Sequence, residues 1–111
     1  MRLRNAVLAA TSAVALVLAV PVSANAADGV FRYTYLDGGS GQRGELVDPA
    51  SETCIDLPGA TEADPAFAPV NRTGGTSVVF LEFGCGGDVY YTLKPGGSAG
   101  RRLHVRSVLF S

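Results

Sequence analysis

Clusters of glycine and proline interrupt this chain at short intervals and leave room only for short extended segments between them. They lie at 37–41, 58–59, 84–88 and 95–97. Glycine adopts the positive φ angles that chain reversals need, and proline ends regular hydrogen bonding. Nowhere in residues 27–111 do apolar residues recur at helical spacing for more than one turn. The sequence therefore predicts an all-β fold.

The segments between these turns have the composition of strands. Phe31, Tyr33 and Tyr35 alternate with other residues, which is the pattern of a half-buried strand rich in aromatic residues. Further short strands are predicted at 43–47, 53–57, 77–83, 89–93 and 103–110. Short strands separated by glycine-rich turns are typical of a β-sandwich or β-barrel.

The first 26 residues have the organisation of a cleavable export signal. Arg2 and Arg4 precede an uncharged apolar run at 6–20, and Ala24 and Ala26 provide a small-x-small cleavage site. The apolar run is shorter than the roughly 20 residues that a membrane span needs. Cleavage is predicted after Ala26, or alternatively after Ala24. We therefore expect a secreted protein with one domain at 27–111 and no membrane attachment after cleavage.

The charge of the predicted domain argues against polyanionic partners. Removing residues 1–26 takes two of the nine basic residues, Arg2 and Arg4, and none of the ten acidic residues, which leaves a formal charge of −3. Nucleic acids and anionic membranes attract clustered positive charge. A local basic cluster at 101–106 is interpreted as a solvated strand face. We expect no nucleic-acid partner.

Two cysteines, Cys54 and Cys85, lie in the predicted domain. An even number of cysteines in an exported protein indicates a disulfide, although a metal site or a reactive thiol is the alternative. Two sulfurs without a nearby histidine provide too few ligands for zinc. A disulfide that closes a loop of about 32 residues contributes roughly 3.5–4 kcal/mol in the chain-entropy model. A structural disulfide is therefore the preferred interpretation.

Residues 58–75 show no clear periodicity and are predicted to form a long irregular segment. Structureless loops of this length are uncommon in compact domains and are usually functional. Pro65 and Pro69 favour extended backbone around them, with Phe67 between them. Phe67 could be exposed on a semi-rigid loop, or it could point inward and fix the loop to the core. The second alternative is favoured, because an exposed Phe lowers solubility.

The residues give no support for catalysis. The one histidine, His104, lies on a predicted strand, and no Gly-x-Ser-x-Gly motif is present. The carboxylates are scattered, and no glycine cluster is followed by Lys-Ser/Thr as a phosphate-binding loop requires. We expect a protein that is not an enzyme and that carries no cofactor and no metal.

A motif in the second half indicates a family. Phe80, Cys85 and Gly87 reproduce the aromatic-x4-aromatic-or-Cys-x-Gly signature of a βγ-crystallin Greek-key motif, and Ser107 stands where that motif has its closing serine. In the first half, Phe31-x4-Leu36-x-Gly38 has the spacing without the second aromatic. The chain resembles the small secreted βγ-crystallin-like proteins of actinobacteria, which include the metalloproteinase-inhibitor family of streptomycetes.

The resemblance implies a single Greek-key sandwich of βγ-crystallin type. It implies that Gly87 takes a positive φ where a hairpin folds over, that Ser107 hydrogen-bonds this hairpin, and that Phe80 packs beneath it. Arg102 and Leu103 stand where calcium-binding members of the family have ligands. Calcium binding is therefore not expected.

The resemblance also implies a function. A small secreted non-catalytic binding protein is expected, in particular an inhibitor of an extracellular protease. Phe67 and Arg72 are the candidate partner contacts, and a monomer is expected. The departure from the inhibitor family is the number of disulfides, because the inhibitors resemble doubly bridged domains. A structural or cell-envelope-associated β protein and a small secreted toxin are the alternatives.

Overall fold

Eight short strands make up most of the fold. The computed structural model describes residues 26–111, and the strands are accompanied by one short 3-10 turn at Phe83–Cys85. The strands are β1 (Gly29–Asp37), β2 (Ser40–Val47), β3 (Cys54–Asp56), β4 (Ala66–Thr73), β5 (Ser77–Phe80), β6 (Tyr90–Leu93), β7 (His104–Val105) and β8 (Ser107–Phe110). The all-β prediction is confirmed. The predicted export signal lies outside the described residues, except for Ala26.

The strands form two four-stranded antiparallel sheets that exchange one strand. The strand orders are β2-β1-β4-β7 and β3-β8-β5-β6, and we call these the N-sheet and the C-sheet. The first half of the chain contains β1 to β4, and the second half contains β5 to β8. Each sheet takes three strands from one half. Its fourth strand is the third strand of the other half, so that β7 completes the N-sheet and β3 completes the C-sheet. Neither half can complete a sheet without the other.

The core lies between the sheets and consists of side chains at alternate strand positions. Phe31 and Tyr33 come from the N-sheet, and Val79, Val108 and Phe110 come from the C-sheet; each is at most 2% exposed. The rings of Phe31 and Phe110 meet edge to face with their centroids 5.4 Å apart. Burying an aromatic side chain of this size contributes about 1.5–3 kcal/mol. These contacts hold the sheets together.

The predicted disulfide is confirmed. Cys54, at the start of β3, is bonded to Cys85 in the 3-10 turn, with 5.9 Å between the Cα atoms. β3 belongs to the first half of the chain and the 3-10 turn to the second. The bridge therefore reinforces the strand exchange, because it fixes β3 to the half whose sheet it completes.

The prediction of a long irregular segment at 58–75 is wrong, because β4 lies within it, between β1 and β7. The sequence did not predict this strand, because prolines are typical of irregular segments. Its register against β1 shifts between Arg32 and Thr34, and two residues, Ala68 and Pro69, lie opposite the single residue Tyr33. Such a bulge tolerates a proline inside a sheet and interrupts the alternation of buried side chains.

The predicted strand at 103–110 is two strands that belong to different sheets. β7 pairs with β4 in the N-sheet, whereas β8 pairs with β3 and β5 in the C-sheet. Arg106 is the single residue between them. The chain thus changes sheets at Arg106.

The buried side chain of Asn71 joins the two sheets at another crossover, where β4 leads into β5. Its amide donates hydrogen bonds to the carbonyls of Gly75 and Leu93, at 2.8 and 2.9 Å. Its carbonyl oxygen accepts hydrogen bonds from the backbone N–H and the hydroxyl of Thr73. All four hydrogen-bonding positions of this 0% exposed side chain are therefore used.

We expect Asn71→Ala to lower the free energy of unfolding by about 2–4 kcal/mol, because it removes all four hydrogen bonds of a fully buried side chain. Urea unfolding of the oxidised protein measures this change. Gln42→Ala removes an exposed amide from β2 and should change the same quantity by less than about 0.5 kcal/mol. A loss in Asn71→Ala no larger than that of the control would contradict the structural role of Asn71.

Candidate functional site

The two candidate partner contacts, Phe67 and Arg72, both lie on β4 but line different cavities. Phe67 is 8% exposed, so the exposed alternative does not describe it. It does not anchor the loop in the core either, because it lies outside the apolar core cluster, opposite Thr34 on the outer face of the N-sheet, where it lines one pocket. Arg72 is exposed and lines a separate cavity on the outer face of the N-sheet. The structure therefore does not bring these two side chains together into one contact surface.

The irregular segment is shorter than predicted and comprises residues 58–65, between β3 and β4. We call it the clamped loop. Its tip, Thr61 to Asp64, is exposed. Within the tip, the N–H of Thr61 donates to the carbonyl of Asp64 at 2.9 Å, and the N–H of Asp64 donates to the hydroxyl of Thr61 at 2.8 Å. These two hydrogen bonds close the tip into a defined turn.

The guanidinium of Arg106 holds the tip to the rest of the domain. It donates to the carbonyls of Thr61 (3.0 Å) and Glu62 (2.7 Å) in the tip, and to that of Leu81 (2.8 Å) after β5. The backbone of Arg106 is itself fixed, because its N–H donates to Phe80 and its carbonyl accepts from the N–H of Leu57. A guanidinium has five N–H donors in a rigid plane, which suits it to fix several carbonyls at once.

Two tyrosines of β1 fix the start of the clamped loop. The hydroxyl of Tyr33 donates to the carbonyl of Pro58 at 2.7 Å. The ring of Tyr35 lies against Gly59, where an added Cβ would be only 2.5 Å from the ring and where φ is +95°. Glycine alone fits this position without strain. Burial, together with the nearby Tyr35, raises the pKa of Tyr33 to about 12.

A pocket of about 310 Å³ adjoins the tip of the clamped loop. Leu36, Pro65 and Phe67 provide its apolar wall, and Asp64, Arg101 and His104 provide its polar groups. The guanidinium of Arg101 lies over the ring of Phe67, 4.9 Å from its centroid. This pocket and the exposed tip form one continuous surface, because Ala63 and Asp64 belong to both. We take this surface as the candidate functional site.

The motif residues Phe80, Gly87 and Ser107 lie elsewhere, around the 3-10 turn. Gly87 has a φ of +81°. The hydroxyl of Ser107 accepts a hydrogen bond from the N–H of Cys85 at 2.8 Å and donates to the carbonyl of Glu82. The half-buried ring of Phe80 lies 5.9 Å from that of Tyr90. These contacts fix the segment between β5 and β6 on the C-sheet.

The sequence did not indicate that Arg106 and Tyr33 would hold a loop. The sequence pattern places Arg106 on a solvated strand face and Tyr33 among several alternating aromatics. Their acceptors are backbone carbonyls that lie 25 or more positions away in the chain. Because every residue has a carbonyl, no spacing of residue types signals such contacts.

Three further observations concern what the described part of the chain contains. Residues 26–111 include no group of three or more His, Cys, Asp or Glu side chains arranged to hold a metal ion. No helix in the same residues is long and apolar enough to cross a membrane. Comparison with known proteins finds no matching family model, no similar curated protein and no similar solved structure.

We expect Arg106→Ala to accelerate hydrogen exchange at the backbone amides of Thr61 and Asp64 by at least roughly tenfold, because the tip loses its connection to the domain. Amide exchange followed by NMR measures this. Arg102→Ala is the matched control, because Arg102 is exposed and has no side-chain hydrogen bond within residues 26–111. Unchanged exchange at both amides in Arg106→Ala would show that the guanidinium does not hold the tip.

The raised pKa of Tyr33 predicts a loss of stability at high pH. The unfolded chain ionises this phenol near its ordinary pKa of 10.0, whereas the folded protein keeps it protonated up to about pH 12. The stabilisation is complete below pH 10 and is lost between pH 10 and 12, by about 2–3 kcal/mol. Urea unfolding should show this loss in the wild type but not in Tyr33→Phe. Equal losses of stability in both proteins would show that the Tyr33 phenol does not cause this pH dependence.

Proposed function

We propose that this chain is a secreted, non-catalytic binding protein that docks the clamped loop onto an extracellular peptidase and inhibits it. The observation that carries the proposal is the Arg106 guanidinium, which fixes the consecutive carbonyls of Thr61 and Glu62 while their side chains stay exposed. A loop of this kind offers an ordered backbone to a partner.

Rigidity is the physical reason for choosing an inhibitor. Ordering a flexible loop on binding reduces affinity, whereas a loop that is already held in its bound conformation avoids this loss. The same restraint hinders cleavage, because the loop cannot move into the geometry that bond breaking requires. Hydrogen bonds at 58, 61, 62 and 64 restrain the clamped loop along most of its length.

The exposed groups of the site favour a metallopeptidase among the peptidase classes. Glu62 and Asp64 place carboxylates on the tip. Carboxylates are ligands for zinc, and a catalytic zinc keeps an open coordination position. The pocket beside the tip has an apolar wall that includes Phe67, and it could receive an apolar side chain of the partner.

The topology supports the proposal that the fold is of βγ-crystallin Greek-key type. In each half, the fourth strand lies beside the first, as in a Greek key, while the third strand is exchanged between the sheets. Gly87 and Ser107 make the local contacts that the resemblance implies. The disulfide supports export, because such bridges persist mainly in oxidising compartments.

Self-association in a structural role is the second candidate function. β6 is an edge strand of the C-sheet, and Tyr90 and Tyr91 on it are 57% and 48% exposed. An edge strand with exposed aromatic residues can pair with another copy of the chain. Concentration-dependent sedimentation that is abolished by Tyr91→Ser would favour this function.

Titration of the exported, oxidised protein against thermolysin-like, subtilisin-like and trypsin-like peptidases tests the proposal. We expect stoichiometric inhibition of the thermolysin-like enzyme. Glu62→Ala and Arg106→Ala should weaken it by at least roughly tenfold. Asp88→Ala is the matched control for Glu62→Ala, because it removes an exposed carboxylate that belongs to neither the clamped loop nor the pocket, and it should leave inhibition unchanged.

Two outcomes would count against the proposal. Intact, undigested protein that inhibits none of the panel at micromolar concentration would reject inhibition of these peptidase classes. Inhibition that survives both Glu62→Ala and Arg106→Ala would mean that another surface contacts the enzyme.

A further inference from the structure

Three arginines surround one cavity on the outer face of the N-sheet. Arg32 lies on β1, Arg43 on β2 and Arg72 on β4, and together with Thr34, Ala68 and Val70 they line a cavity of about 270 Å³. No acidic side chain lines it. This cavity does not share a lining residue with the pocket beside the clamped loop. It is therefore a second candidate site, independent of the proposed function.

The cavity lies at the bulge of β4. The shift in register between Arg32 and Thr34 places Ala68 and Pro69 opposite Tyr33, and Ala68 has a φ of +52°. A positive φ is uncommon for a residue other than glycine. Bulges increase the local twist of a sheet and often lie next to binding sites. The small side chain of Ala68 leaves the space between the arginines open.

The charge at this cavity is unusual for the domain. Residues 27–111 contain seven basic and ten acidic residues, yet three of the seven basic ones line this one cavity. Arg32 forms an ion pair with Glu45 at 3.0 Å. Arg43 and Arg72 have no ion pair and no side-chain hydrogen bond within residues 26–111. Neighbouring like charges repel each other, and a bound anion would remove this repulsion.

We propose that this cavity binds a tetrahedral oxyanion, namely the phosphate or sulfate group of an extracellular ester. A guanidinium presents paired N–H donors that match two oxygens of such a group. Arg43 and Arg72 approach from the two strands that flank β1 and supply these donors, and the hydroxyl of Thr34 between them is a further donor. The aliphatic wall of Val70 would contact the organic part of the ester.

NMR titration of the full oxidised protein tests this site, with inorganic phosphate and sulfate as probes at constant ionic strength. We expect saturable shifts of the backbone amides of Thr34 and Ala68. The double variant Arg43→Gln, Arg72→Gln should weaken binding by at least roughly tenfold. The control Lys94→Gln, Arg102→Gln makes the same change in net charge at exposed residues outside both cavities and should leave binding unchanged.

Two further probes distinguish the sources of the group. Glucose 6-phosphate represents a small ester, and polyphosphate represents a polymer. The probe that binds with the higher affinity identifies the class of ligand. Polymer binding should weaken steeply with added salt. The proposal is overturned if no probe gives saturable shifts at Thr34 and Ala68, or if the control double variant loses as much affinity as the cavity variant. Neither result bears on peptidase inhibition, because the clamped loop is unchanged in both variants.

Discussion

The fully hydrogen-bonded side chain of Asn71 fixes the geometry on which the rest of the structure depends. It lies at the end of β4, where the chain leaves the N-sheet, and it reaches the carbonyl of Leu93 at the end of β6 in the C-sheet. A buried amide that satisfies every donor and acceptor favours one arrangement, because a displacement breaks several of its hydrogen bonds at once. The relative position of the two sheets is thereby fixed at one end. At the same place, the backbone of Asn71 also bonds to Gly96 and Gly97.

The strand exchange explains why the clamp is at Arg106. The clamped loop is the crossover from the C-sheet to the N-sheet, because it joins β3 to β4. Arg106 is the crossover in the opposite direction, because it joins β7 to β8. The two connections lie side by side, and the guanidinium of one donates to the carbonyls of the other. Backbone hydrogen bonds to Phe80 and Leu57 fix the main chain of Arg106 between two strands of different sheets, which makes its side chain a suitable anchor for a loop.

The sequence predicted the parts of the structure that depend on local patterns. Alternation at Phe31, Tyr33 and Tyr35 located β1, and the count of two cysteines indicated the disulfide. The sequence did not predict β4, because a proline such as Pro69 normally indicates the end of a strand unless the bulge that accommodates it is known. The clamp and the arginine cavity depend on register and on contacts between distant positions. Arg32, Arg43 and Arg72 meet only because β1 pairs with both β2 and β4.

The distribution of rigidity in this small domain follows from its size. With 85 residues after position 26, the core is modest, and polar side chains hold the crossovers that apolar burial alone cannot fix. Tyr33, Asn71, Arg106 and Ser107 each bond to backbone carbonyls, which are present whatever the neighbouring side chains are. None of these four anchoring side chains is an exposed side chain of the clamped loop or of the outer face of the N-sheet. Binding surfaces can then change at these positions while the crossovers, and with them the fold, stay the same.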